Sequence, residues 1–272
     1  MTKQKLVSQC LMGFGTYKNQ EPLSQFIENL RVVCSNNEYE FIDTARFYKN
    51  EKKIGSALQK LKKEFSFHIL VQSKVWPKNF TNVKTELKKS IEDLQLTKID
   101  SYLLHRPHWD MKINILAWKQ LIKCQQAGLV EEIGVSNFDK EMIDILFKHS
   151  GVYPKINQIE LSVANMRWDR VLYNQQQKII IQSWRPLTND QKIFLNHPVV
   201  VKIAKTHKID SALILIAFLK NLALCPIIKS QNNSRIESNA KAYHVKLSSK
   251  EIEQLKTLNI YLSGSSSTFD LL

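Results

Sequence analysis

Glycine is scarce in this chain, with seven in 272 residues. That scarcity excludes a collagen-like repeat and a glycine-rich linker, and no proline-rich or glycine/serine-rich stretch divides the sequence. Gly13 and Gly15 stand one residue apart but lack the third glycine of a dinucleotide-binding βαβ fingerprint. Only four cysteines are present, Cys10, Cys34, Cys124 and Cys225. They form no C-x-x-C pair and share no zinc-like spacing with histidine, so they read as reduced thiols and no metal is expected. The longest apolar run, residues 212–219, is too short to span a bilayer. Residues 1–9 are polar and carry no apolar signal core. The expected location is the cytoplasm, with no membrane partner.

Acidic residues are in deficit, 25 against 39 basic ones, for a net charge of +14. Such a balance invites a nucleic-acid reading. However, Lys60, Lys62, Lys63, Lys84, Lys88 and Lys89 are spread through helical segments, and no basic tail appears. Solvated helix faces explain them, and no nucleic-acid partner is expected. The positive field still favours anionic ligands, a nucleotide cofactor among them.

What is present is a hydrophobic fraction of 43%, enough for a full core. Strand-like runs fall at 11–17, 41–42, 68–74, 99–105, 132–136, 156–160, 178–183 and 224–228. Helical periods fall at 22–34, 51–63, 81–94 with Thr81 as cap, 115–127, 140–149, 199–206, 211–221, 235–240 and 248–258. Alternation of this kind means βαβ units and a parallel sheet. Eight units in this length predict an α/β fold, a (β/α)8 TIM barrel, as a single domain over 1–272 with a mobile serine-rich tail at 263–272.

Polar groups stand at the ends of nearly all these strands: Thr16, Asp43, Lys74, His105, Ser136 with Asn137, Gln158, Trp184 and Lys229. Singly, each has a plain reading. Asp43 would cap a turn, Tyr48 would pack on the surface, Lys74 would reach solvent, and a lone His105 is more often structural than catalytic. In a barrel those ends meet at one mouth, and the convergence favours chemistry. The pivot is the stretch at 41–51, where an apolar strand end runs into Asp43 and Tyr48 in a polar turn.

These motifs together resemble the aldo-keto reductases, in particular the short microbial members of the diketogluconate reductase kind. They are Gly13-Phe14-Gly15-Thr16, Asp43-Thr44-Ala45 with Tyr48 and Asn50-Glu51, Lys74, Leu103-Leu104-His105, Gly134-Val135-Ser136-Asn137-Phe138, Asn157-Gln158-Ile159-Glu160, Pro186-Leu187, and Ile228-Lys229-Ser230 with Arg235-Ile236 and Asn239. The resemblance implies an NADPH-dependent oxidoreductase that reduces aldehydes or ketones, a monomer with a small carbonyl substrate. It implies a catalytic tetrad of Asp43, Tyr48, Lys74 and His105. Tyr48 would give the proton, Lys74 would lower the tyrosine's pKa, Asp43 would hold Lys74, and His105 would orient the carbonyl. NADPH/NADP+ would be held by Gly15, Thr16, Asp43, Ser136, Asn137, Gln158, Trp184, Leu187, Lys229, Ser230, Arg235 and Asn239. Trp184 would stack on the nicotinamide, and Lys229, Ser230 and Arg235 would bind the 2′-phosphate. Tyr17, Tyr48, Trp76, His105 and Arg106 would line the substrate pocket. Three positions depart from the family pattern. Ile228 stands for a usual Pro, Ser238 for a usual Glu, and Arg106 where many members have Trp. A cofactor-binding regulatory protein, as the channel β subunits of this superfamily are, is the alternative. The complete tetrad disfavours it.

Overall fold

The computed structural model describes residues 5–188 and 191–260. The tail expected to be mobile, 263–272, lies outside the described residues. Eight short strands form the centre: β1 (Gly13–Gly15), β2 (Phe41–Asp43), β3 (Leu70–Val75), β4 (Ile99–Leu104), β5 (Val130–Ser136), β6 (Ile156–Glu160), β7 (Ile180–Trp184) and β8 (Cys225–Ile228). Each pairs in parallel with the next, and β8 pairs with β1, so the sheet closes into a barrel. The strands are short and almost wholly buried because helices cover their outer face.

The helices follow in order: α1 (Leu23–Ser35), α2 (Glu51–Glu64), α3 (Val83–Leu94), α4 (Met111–Gln126), α5 (Lys140–Ser150), α6 (Trp168–Gln176), α7 (Gln191–Leu195), α8 (Pro198–His207), α9 (Ser211–Asn221), α10 (Asn233–Ala240) and α11 (Ser249–Lys256). Most match the expected periods within a few residues, and the departures are local. Helix α4 begins four residues before 115, because the Asp110 carboxylate accepts from Lys112 N at 2.9 Å and caps it there. Helix α3 begins at Val83, after a 3-10 turn over Pro77–Asn82, so Thr81 is not its cap. Helices α6 and α7 were not expected: both are short, and α6 fully buries a single apolar residue, Val171. Asp43 ends strand β2 and does not lie in a turn.

The barrel interior is layered. At the lower end Phe41, Leu70, Leu103, Ile156, Cys225 and Ile227 pack with Val7 and Cys10, so the N-terminal segment plugs the bottom. A polar layer lies above. The register sets Asp43 beside Gln72, Gln72 beside Ser101, and Gln158 beside Gln182. Their amides close on one another: Gln72 Nε2 donates to Gln182 Oε1 at 2.6 Å and Gln182 Nε2 to Gln72 Oε1 at 3.1 Å. Buried amides in such a layer are tolerable because each has partners.

Candidate active site

Asp43 and Lys74 come from neighbouring strands, so parallel pairing brings their side chains together above the polar layer. Lys74 Nζ donates to Asp43 Oδ2 at 2.7 Å and to Thr44 O at 2.9 Å, and stands 3.4 Å from Tyr48 Oη. Asp43 Oδ1 accepts from Gln72 Nε2 at 2.8 Å and Gln158 Nε2 at 2.9 Å. The carboxylate is thereby saturated by one cation and two amides.

Tyr48 ends a 3-10 turn over Arg46–Tyr48. That turn is braced from outside the barrel, where the Arg46 guanidinium meets Glu51 at 2.5 Å, Asp93 at 2.6 Å and Glu86 at 3.4 Å. From inside it is braced by Asn50, whose amide donates to Thr16 O at 2.9 Å and accepts from Thr44 Oγ1 at 2.8 Å. His105 follows β4 and packs edge-on against Tyr48, with ring centres 5.4 Å apart, and against Trp76, at 5.0 Å.

The electrostatics assign protonation states. Burial, reinforced by the Asp43 charge, pushes the Tyr48 phenol well above its ordinary value near 10. The lowering by Lys74 expected from sequence is not found, and Tyr48 keeps its proton at neutral pH. Burial lowers the Lys74 pKa, and Asp43 opposes that. Burial, then the charges of Lys74 and Arg106, push His105 well below 6.5, so it is a neutral imidazole. Its buried Nδ1 has no hydrogen-bond partner among the described residues.

A cavity of about 1270 Å³ opens over this group. Tyr17, Tyr48, Trp76, His105 and Arg106 line it together with Gly15, Asp43, Ser136, Asn137, Gln158, Trp184 and Leu187, and Lys229, Ser230, Arg235 and Asn239 line it too. Two expected residues are not on its wall. Lys74 lies behind Tyr48 with no exposed surface. Thr16 is also fully buried, and its Oγ1 donates to Asp43 O at 2.9 Å, so it ties β1 to β2. On the amide wall, Asn137 adopts φ 64°, a left-handed conformation that asparagine tolerates. Its Nδ2 donates to His105 O at 3.1 Å, and its Oδ1 accepts from Trp184 Nε1 at 3.0 Å. The indole plane of Trp184 is thereby fixed. On the basic wall, Asn232 Oδ1 accepts from Arg235 N at 3.0 Å and caps α10.

Four contributors escaped sequence reading. Phe47 stacks on Trp76 at 4.1 Å and lines the cavity. Its sequence signal is an aromatic directly before Tyr48. Arg185, also on the wall, lies over the Trp184 ring at 5.2 Å. Gln72 and Gln182, which complete the polar layer, sit inside apolar runs where only their register reveals a role.

Comparison with known proteins adds the following. The sequence model of the aldo/keto reductase family matches residues 11–260. The methylglyoxal reductase DkgA of Escherichia coli K12 is 31% identical over 250 residues, 91% of this chain and 89% of that protein. The aldose reductase of Schistosoma japonicum superposes with a TM-score of 0.82 at 27% identity, over 92% of this chain and 88% of its own. An aldo-keto reductase of Bombyx mori, solved in complex with NADP, shares the fold with a TM-score of 0.83 at 24% identity, over 92% and 89%.

Proposed function

This chain belongs to the aldo/keto reductase family, and from that premise we propose that it is an NADPH-dependent carbonyl reductase whose proton donor is Tyr48. The reading rests on one observation above all. A protonated Tyr48 hydroxyl stands 3.4 Å from an ammonium that is itself held at 2.7 Å by Asp43, at the mouth of an open cavity.

The donor set suits NADPH. Lys229, Arg235 and the capped N-terminus of α10 gather positive charge on one wall, suited to a phosphate. With their N–H and O–H donors engaged within the fold, Ser136, Asn137 and Gln158 offer side-chain oxygens to the N–H groups of a carboxamide, and Trp184 presents an anchored ring face. When bound, NADPH supplies the hydride, which no side chain can.

The chain's own residues do the rest. Reduction leaves negative charge on the substrate oxygen. Neutral His105 donates an N–H to that oxygen and orients it. Tyr48 transfers its hydroxyl proton there. The tyrosinate that remains lies beside the Lys74 ammonium, which stabilises it as it forms. The high resting pKa of Tyr48 keeps the donor loaded, and Lys74 acts on the charge that develops in the transition state. Asp43, saturated by Gln72 and Gln158, keeps Lys74 charged in a site that would otherwise discharge it. Substrates are small aldehydes and dicarbonyls, a class supported by the methylglyoxal reductase at 31% identity.

The test is loss of NADPH absorbance with methylglyoxal for wild type and Tyr48→Phe. A loss in the mutant of about 10²–10⁴-fold with NADPH binding retained fits general acid catalysis. Equal rates would remove Tyr48 from the role. Tight NADPH binding with no turnover in wild type would turn the reading toward a regulatory protein.

A further inference from the structure

Arg106 is the cavity residue whose chemistry the reaction above leaves unused. It follows His105 directly at the end of β4, lines the cavity and is half-buried. Its Nη1 is buried and has no hydrogen-bond partner among the described residues. A guanidinium has five N–H donors and no way to lose its charge at working pH. A desolvated donor left unpaired is costly, so a partner arriving from the cavity gains what the fold has forgone.

The protein does not supply that partner. Asp43 and Asp210 are the acidic residues on the cavity wall among the described residues. Asp43 is engaged by Lys74, Gln72 and Gln158. Asp210 is absent from the charges that act on Arg106. Glu160 acts on it from outside the cavity, and that carboxylate already accepts from Arg185 Nη1 at 3.4 Å. Tyr48, Tyr17 and Arg185 are the other groups within electrostatic reach; none is a carboxylate, and Arg185 is itself a cation. Arg106 is thus a cation within reach of the reacting hydroxyl, facing a cavity whose aromatic side is Tyr17, Phe47 and Trp76.

We propose that Arg106 is a specificity residue that pairs with an anionic oxygen group on the substrate, and that the preferred substrates are aldehydes or ketones bearing a carboxylate or phosphate a few bonds from the carbonyl. The proposal rests on the carbonyl-reductase reading and narrows its substrate class. The planar fork of the guanidinium suits either anion through two parallel N–H···O bonds. The flat aromatic side accommodates the short carbon skeleton between the two ends.

The experiment compares matched pairs with NADPH as reductant: benzaldehyde against 4-carboxybenzaldehyde, and glyceraldehyde against glyceraldehyde 3-phosphate. Wild type, Arg106→Gln and Arg106→Lys are assayed on each. Wild type is expected to favour the charged member of at least one pair by about tenfold or more in kcat/KM. The pair that shows it tells carboxylate from phosphate. Arg106→Gln erases the preference, mainly through KM, so that kcat/KM falls about tenfold more for the charged members than for the neutral ones. Arg106→Lys keeps part of it, since a point charge lacks the fork. Equal loss on charged and neutral members would reduce Arg106 to a residue that tunes Tyr48, and the proposal falls. Turnover of neutral aldehydes by wild type without preference for either anion also overturns it and leaves the reductase reading standing. If wild type reduces no member of either pair, the reductase reading fails and the proposal with it.

Discussion

Lys74 and Asp43 form an ion pair of 2.7 Å in which the lysine has no exposed surface and the carboxylate almost none. A buried pair adds little net stability, yet breaking it is costly because a charge is left without compensation. The two halves of this pair are not equivalent. Without Lys74, Asp43 still accepts from Gln72 and Gln158. Without Asp43, Lys74 keeps only Thr44 O and the Tyr48 hydroxyl. Asp43→Asn is therefore expected to lose about 3–5 kcal/mol of stability, and Lys74→Met clearly less. Urea unfolding of both variants checks the order. Equal losses would show that the amides do not stabilise the carboxylate.

The protonation states predict an unusual pH profile. The Tyr48 pKa is raised, so its acid form persists through neutral and mildly alkaline pH. The His105 pKa is lowered, so its neutral form persists well below 6.5. The active form, acidic Tyr48 with neutral His105, is then constant across the interval between the two. kcat/KM for reduction should be flat from about pH 6 to 9. An acid limb with its midpoint near 6.5 in a pH–rate series would mean that His105 titrates as an exposed histidine does.

Much of this site could be read without coordinates, because a parallel barrel converts position along a strand into position in space. Asp43, Lys74, His105 and Gln158 are polar residues at or beside the ends of apolar strands, and in a barrel that pattern gathers them at one end. What escaped depended on three dimensions. Gln182 lies inside an isoleucine-rich run, and its role follows from pairing with Gln158 across the β6–β7 register. Helix α6 shows only a short stripe, Trp168, Val171 and Leu172, spread over nine residues of which it buries Val171 and Asn174. The protonation of Tyr48 also escaped. Charge alone suggests that a neighbouring lysine lowers its pKa, but burial, with the Asp43 charge, raises it.

The basic wall is expected to set cofactor choice. Lys229 and Arg235 are both exposed cavity residues, and Arg235 follows the Asn232 cap of α10. NADPH differs from NADH by a 2′-phosphate, so removing these cations should weaken NADPH selectively. Lys229→Ala and Arg235→Ala are each expected to weaken NADPH about tenfold while NADH stays within about twofold. Titrations following Trp fluorescence measure both affinities. Parallel losses for the two nucleotides would place the 2′-phosphate elsewhere.

Gly55 links helix packing to the active-site turn. In an isolated helix Gly→Ala gains about 1 kcal/mol. Gly55 lies within α2, but a Cβ there would come within 2.5 Å of Asp93 O and 2.7 Å of Leu94 C. Those are backbone atoms of α3 and cannot rotate away. Overpacking of this kind costs about 1–3 kcal/mol, so the contact wins over the propensity. Asp93 is also a partner of Arg46, at 2.6 Å, and Arg46 braces the turn that carries Tyr48. Displacing α3 is thus expected to disturb the proposed proton donor as well. Gly55→Ala should lower stability by about 1–2 kcal/mol and also lower kcat. Gly128→Ala is the control: its surroundings are open but its φ is +71°, so its cost is backbone strain alone, with kcat unchanged. Unfolding and steady-state kinetics on both variants decide the matter. If Gly55→Ala is stabilising, or destabilises with kcat intact, the route from the α2–α3 contact through Arg46 to Tyr48 is wrong.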